Sequence, residues 1–379
     1  MHIETFTHAL GAGWSAVLPT ERDSARTLIV AFGAAGYSEA PEALAELRAA
    51  FPQSALVGCS SAGEIHDHVV ADGTLVVALA QFEQIDLLVA STRIGSAADS
   101  VAAGTRLGRK LIRARPRLVL VFSEGLAVNG TELVRGLSDA LPADTIIVGG
   151  LAADGDRFAR TWVLVDGKPA SGNVVAVALT GPLEVGVGSQ GGWDTFGPER
   201  RVTRSTGNVL YELDGKPALA LYKEYLGELA SGLPATALRF PLSIREAPDA
   251  GTAVVRTILG IDEKTQSLTF AGDIPNGWRA QLMRSNHDRL IAGAMRAAFD
   301  ATASMSGGPA LALAISCVGR RLVLGARIEE ETEAALEALP PGSHQIGFYA
   351  YGEISPAGGP VCELHNQTMT LTTFREAIA

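Results

Sequence analysis

The chain has 379 residues, 31 Lys+Arg against 41 Asp+Glu for a formal net charge of −10, 47% hydrophobic residues and 19% charged ones. Such a composition excludes an intrinsically disordered chain, and the acidic balance, with no stripe of alternating basic and aromatic residues, excludes nucleic acid as a partner. At roughly 150 residues per domain the length predicts two or three domains, while the 42 glycines exceed the usual ~7% of a chain and call for an explanation.

In chain order, residues 1–20 contain no Lys or Arg and no continuous apolar core, so no secretory leader is expected. A first unit follows: a β-branched apolar run at 27–32 (TLIVAF), a helix-like stretch at 41–51, a second apolar run ending in small residues at 55–65 (ALVGCSSAGEI), and strands at 74–82 and 85–94. A second copy begins at 117–123 (RLVLVFS), with a helix at 131–141, the run TIIVGGLAAD at 145–154, and strands at 162–165, 173–179 and 183–189. Asn129 followed by Glu132 predicts a capping box at that helix. Residues 208–300 mix a helix at 218–229, a turn at Leu233-Pro234, strands at 252–260 and 267–271, and a long helix from 289. A third, shorter echo has a strand at 310–317, a helix at 329–339, a Gly-bearing strand at 345–354 (QIGFYAYGEI) and a final strand at 363–374. The pattern predicts an α+β fold of duplicated, sandwich-like α/β layers in two domains with internal strand–helix–strand repeats, divided as 1–210 and 211–379.

The longest apolar stretches, 74–80 and 174–179, fall far short of the roughly 18 residues of a membrane-spanning helix. Three widely spaced cysteines, Cys59, Cys317 and Cys362, argue for a reducing cytoplasm and against a disulfide scaffold or a cysteine zinc site. In VGCSSAG the small residues after a strand let the backbone approach a ligand and its N–H groups form an anion nest; tight packing against a helix accounts for them equally. Cys59 or Ser60 as a nucleophile has no base assigned by position. Glu64 and Glu353 end matching Gly-Glu-Ile motifs, where they can cap neighbouring helices or face each other across a pocket, and their repetition points to structural roles. His365 can ligate a haem iron or serve as a hydrogen-bonded structural residue. His66 and His68 lack a third metal ligand, and Arg320 can meet a ligand carboxylate or form a salt bridge. The GxGxxG at Gly186–Gly191 is not followed by a helix signal, so a dinucleotide site is not expected.

The motifs at 57–65 (VGCSSAGEI), 148–154 (VGGLAAD), 347–356 (GFYAYGEISP) and 363–370 (ELHNQTMT), with SCVGR at 316–320 and LVLGARIEEE at 322–331, resemble the FIST family over about residues 25–375. That resemblance implies an N-terminal and a C-terminal FIST domain in one cytoplasmic bacterial sensor, not an enzyme. It implies a small-molecule ligand, such as an amino acid, or a non-covalent haem responding to nitric oxide. Output through a separate signalling protein, such as a histidine kinase or a cyclic-di-GMP enzyme, is implied too. The residues read as lining the ligand site are Gly58, Cys59, Ser60, Ser61, Gly149, Gly150, Arg320, Tyr351, Glu353 and Asn366, with His365 as the haem axial candidate. A hydrolase or transferase using Cys59 or Ser60, and a regulatory scaffold without ligand, are the alternatives.

Overall fold

In the computed structural model, which describes residues 1–247, 253–356 and 362–377, one strand–helix–strand unit occurs three times around a shared interior, giving an α+β fold. The first unit runs β1 (His2–Ala9), β2 (Thr27–Ala34), α1 (Glu42–Ala50), β3 (Ala55–Ser61), the short β4 (Glu64–His66) and β5 (Thr74–Gln81). The second runs β6 (Asp86–Arg93), α2 (Ser100–Leu111), β7 (Leu118–Ser123), α3 (Gly130–Ser138), β8 (Ile146–Leu151), β9 (Val163–Val165) and β10 (Asn173–Thr180). The third opens with β11 (Leu183–Gln190) and is interrupted by a lobe. That lobe contains β12 (Val209–Leu213), α4 (Ala218–Leu226), β13 (Leu242–Arg245), β14 (Val254–Arg256) and β15 (Arg279–Ser285). It resumes with α5 (His287–Thr302), β16 (Leu311–Cys317), α6 (Val318–Leu324), α7 (Ile328–Glu337), β17 (His344–Ala350), β18 (Gly352–Pro356), β19 (Cys362–His365) and β20 (Met369–Glu376).

Each unit centres on a parallel pair: β2 with β3, β7 with β8, and β16 with β17. An antiparallel strand flanks each pair (β5, β10, β20), followed by β1, β6 or β11. The units are laced cyclically, because each lends a short strand to another: β4 pairs with β17, β18 with β8, and β9 with β3.

The inner faces of the three sheets pack on one another, with Phe32, Phe122 and Phe348 at 4.6–6.1 Å between ring centroids. Helices cover the outer faces, so the central strands are buried on both sides and read as nearly continuous apolar runs. At α3, Asn129 Oδ1 accepts a hydrogen bond from the Glu132 amide at 3.3 Å, as the capping box predicts, but the Asn129 amide donates to Ser100 Oγ (2.9 Å) instead of to Glu132. No helix among the described residues is long and apolar enough to cross a membrane.

The glycine excess acquires a location. Gly58, Gly149 and Gly347 occupy one equivalent position, opposite Ala31, Val121 and Ala314 in the three parallel pairs. A Cβ there would lie 1.7–1.8 Å from the carbonyl oxygen of that opposite residue.

Three sequence readings are corrected. The strand at 183–189 belongs to the third unit and not the second, since it pairs with Met369–Glu376. The boundary read at 210 lies within β12, a strand of the lobe that interrupts the third unit. The final strand read at 363–374 is two strands, broken at Gln367 in a left-handed conformation (φ 65°) and feeding two different sheets. Of the strand read at 252–260, Thr252 lies outside the described residues, and the remainder is β14 and Ile258–Asp262.

Candidate functional site

Cyclic lacing brings the ends of the three parallel pairs together, and a cleft of about 510 Å³ opens there. The first unit contributes Ser61, Glu64 and Asp72, the second Asp154 and Arg157, and the third Arg321. Ser61 Oγ donates to Glu64 Oε1 (2.8 Å) and accepts from the Gly63 amide (2.8 Å). The other Glu64 oxygen accepts from the amide and hydroxyl of Thr74, both at 3.0 Å. Arg321 donates to Asp72 Oδ2 at 2.6 Å and to the Ala62 carbonyl, and its guanidinium lies 5.8 Å from the centroid of the Tyr349 ring. Asp154 is buried: Oδ2 accepts from the Ala159 and Arg160 amides (2.9 Å each), and Oδ1 accepts from the Tyr351 hydroxyl. Arg157, exposed on the rim, forms no ion pair or hydrogen bond among the described residues. Among the described residues the cleft therefore offers one unpaired guanidinium, Arg157, beside the donor-held carboxylates of Glu64, Asp72 and Asp154 and the exposed, unpaired carboxylate of Asp156, charges that can meet a small polar molecule carrying a carboxylate and an ammonium.

Of the sequence-read ligand residues, Ser61 reaches this cleft, and Tyr351 stands behind its wall through Asp154. Gly58 and Gly149 lie within the sheets, where the backbone they approach is the neighbouring strand, and Gly150 packs against the Ile315 and Phe348 side chains. Cys59 is fully buried, and burial raises its thiol pKa well above the ordinary value. Ser60 Oγ accepts from the Trp162 amide at 3.1 Å, a lacing contact of β9 with β3. Arg320 is fully buried: Nε donates to Glu331 Oε1 (2.6 Å), Nη1 to the Gly191 carbonyl (2.9 Å) and Nη2 to the Leu290 carbonyl (2.7 Å). It is sealed away from the cleft against Glu331, and the salt-bridge alternative describes it. Asn366 joins core to lobe, accepting from the Thr257 amide at 3.1 Å. Glu353 is enclosed, with Oε2 accepting from the Thr368 amide (3.1 Å) and hydroxyl (2.8 Å), the counterpart of Glu64 with Thr74. Sequence reasoning missed Asp154 and Arg157, although LAADGD stands where SSAGE does in the first unit. It also missed Arg321, the neighbour of the arginine it chose.

His365 is mostly buried, its Nε2 is 3.0 Å from the Ser355 carbonyl oxygen, and burial lowers its pKa. It lines none of the clefts described among these residues, so the arrangement does not fit an axial haem ligand. No cluster of three or more His, Cys, Asp or Glu placed to hold a metal occurs among the described residues.

The two equivalent glutamates give a pH prediction. Burial is the largest influence on both and pushes Glu64 up to about 7 and Glu353 up to about 8, against 4.5 ordinarily, with the Ser61, Thr74 and Thr368 hydrogen bonds opposing it. An acid whose folded pKa exceeds its unfolded one binds its proton more tightly when folded. Stability is therefore expected to fall as pH rises from about 4.5 through 8, by several kcal/mol for the two groups together at ~1.4 kcal/mol per pKa unit. Urea midpoints between pH 5 and 8.5 measure this. Glu353→Gln should flatten the profile, and an unchanged slope in that variant would contradict the assignment.

Comparison with known proteins places these features. The FIST N domain model matches residues 27–216 and the FIST C domain model residues 218–356. The chain is 26% identical over 362 residues to an uncharacterized protein of Mycobacterium tuberculosis, covering 92% of this chain and 91% of that one. It is 29% identical over 369 residues to an uncharacterized protein of Mycobacterium bovis, with the same coverage. Among solved structures, a cyanuric acid hydrolase from A. caulinodans aligns over 100% of this chain and 99% of its own at 11% identity and a TM-score of 0.35.

Proposed function

We propose, from the premise that this chain belongs to the FIST family, that it is a cytoplasmic sensor whose ligand is a small polar metabolite carrying a carboxylate, such as an amino acid, seated in the cleft where the three units converge. FIST domains are signal-transduction sensor domains that bind small ligands. The observation that carries this reading is the composition of that cleft: every unit lines it, and Arg157 stands in it with no partner among the described residues. A ligand bridging the units favours one arrangement of them, by no more than its differential affinity for the two states. The occupied state is then read by a separate signalling protein, such as a histidine kinase or a cyclic-di-GMP enzyme. The sensor reading is preferred to a Cys59 or Ser60 nucleophile because both residues are fully buried and Ser60 is engaged with Trp162.

The test is a thermal-shift screen of amino acids and small carboxylates against the full chain. A ligand at 100 times its Kd should add ~2.7 kcal/mol, and Arg157→Met should abolish the shift while leaving the ligand-free Tm unchanged. If no compound shifts the protein, or if Arg157→Met responds like the parent, the reading is overturned in favour of a scaffold without ligand. A second expected result concerns the thiols. Burial raises the pKa of Cys59, Cys317 and Cys362, so iodoacetamide at neutral pH should label the native protein slowly and the urea-unfolded protein at all three positions. Fast labelling of Cys59 in the native state would restore the nucleophile alternative.

A further inference from the structure

A second cleft, of about 400 Å³, lies where α3 of the second unit, the lobe and β19 meet. It is distinct from the site above and shares no lining residue with it. Its walls are largely apolar, with Val134 on α3, Ile244, Val254 and Trp278 in the lobe, and Leu364 on β19. Into this setting the fold places Arg256, which is 7% exposed.

Arg256 differs from the other buried arginines among the described residues. Arg320 has a carboxylate partner in Glu331 and Arg375 has one in Glu184. Arg256 donates only to carbonyl oxygens, from Nε to Asp273 (3.1 Å) and from Nη1 to Val255 and Leu364 (3.2 Å each). Its Nη2 has no hydrogen-bond partner, and no carboxylate forms an ion pair with it among the described residues. Carboxylates face it from a greater distance. Asp273 accepts from Asn129 Nδ2, while Glu363 is exposed and Asp139 stands on the rim beside Arg135. Burial lowers the Arg256 pKa to about 10, with Asp273 and Glu363 opposing the shift. A buried cation without a counter-charge is costly, and burying it beside an apolar wall is sensible when an anion completes the site.

We propose that this cleft binds a small organic acid, with its carboxylate on Arg256 Nη2 and its apolar body against Trp278, Ile244 and Val254. The ligand touches the second unit, the lobe and the third unit together, so its occupancy fixes the lobe against the core. Glu363 competes with the ligand by like-charge repulsion, which gives the site an independent signature.

Phenylacetate and its neutral counterpart phenylacetamide are the probes, used on the full chain with calorimetry and tryptophan fluorescence. Phenylacetate should bind and change the emission, Trp278→Phe should remove that change, and phenylacetamide should bind at least 10-fold more weakly. Arg256→Gln should weaken phenylacetate at least 10-fold, and Glu363→Gln, at an exposed position, should tighten it several-fold; Arg157→Met, in the other cleft, should leave its affinity unaltered. If Arg256→Gln does not fold, the Glu363→Gln result and the acid-to-amide ratio carry the test. Failure of phenylacetate to bind, equal binding of acid and amide, or unchanged affinity in Glu363→Gln overturns the proposal. Loss of binding in Arg157→Met would place the acid in the other cleft and overturn it too.

Discussion

Gly149→Ala is expected to yield no stably folded protein at 25 °C. The new Cβ would sit 1.8 Å from the Val121 carbonyl oxygen and 2.7 Å from its carbon, at φ 152°. Every atom it meets first is backbone of the adjacent parallel strand, which cannot move without breaking the β7–β8 ladder. A cost above about 4–5 kcal/mol belongs to this class of clash, and total stability is typically only 5–15 kcal/mol. Gly36→Ala is the control, since an added Cβ there meets nothing within 4 Å and should leave stability within about 1 kcal/mol. Urea midpoints decide the matter, and a Gly149→Ala midpoint matching the control would refute the close-approach account of the glycines.

Arg320→Met is expected to cost about 3–5 kcal/mol, the usual effect of orphaning one member of a buried ion pair. Glu331 would keep its bonds from Tyr349 (2.9 Å) and Ser316 (3.1 Å) but lose its counter-charge. The carbonyls of Gly191 and Leu290 would lose their donors. Those two residues lie where the chain leaves the core for the lobe and where it returns, so Arg320 fastens both connections. A double-mutant cycle with Glu331→Gln, read by urea unfolding, should show strong coupling, the double variant losing much less than the sum of the singles. Additive losses, or less than 1 kcal/mol for Arg320→Met, would show that the pair does not hold the lobe.

How far the fold could be read in the chain depended on where each partner strand lay. The parallel pairs at 27–61 and 118–151 were legible because partners joined through one helix lie close in sequence. Leu183–Gln190 was assigned to the wrong unit because its partner, Met369–Glu376, stands at the other end of the chain. The site was less legible still. Cys59 and Ser60 belong to the strand end that the small residues mark, but the pleat and the β9 strand enclose them, and only Ser61 emerges into the cleft. Arg320 and Arg321 are adjacent and chemically identical. One is sealed against Glu331 and the other faces the cleft, a difference that helix α6 imposes by turning successive side chains to different sides.

The sequence by itself determined the repeated unit, the α+β class, the family and the equivalent glycines, because these rest on local periodicity and on backbone positions that no other residue tolerates. Only the tertiary structure decided that the three units are cyclically laced, that a lobe interrupts the last one, and which charged groups reach a cleft. The physical reason is that burial and charge pairing are set by contacts between distant segments. The same Arg or Glu becomes a structural ion pair, a capped carboxylate or a free ligand group according to what another unit places beside it.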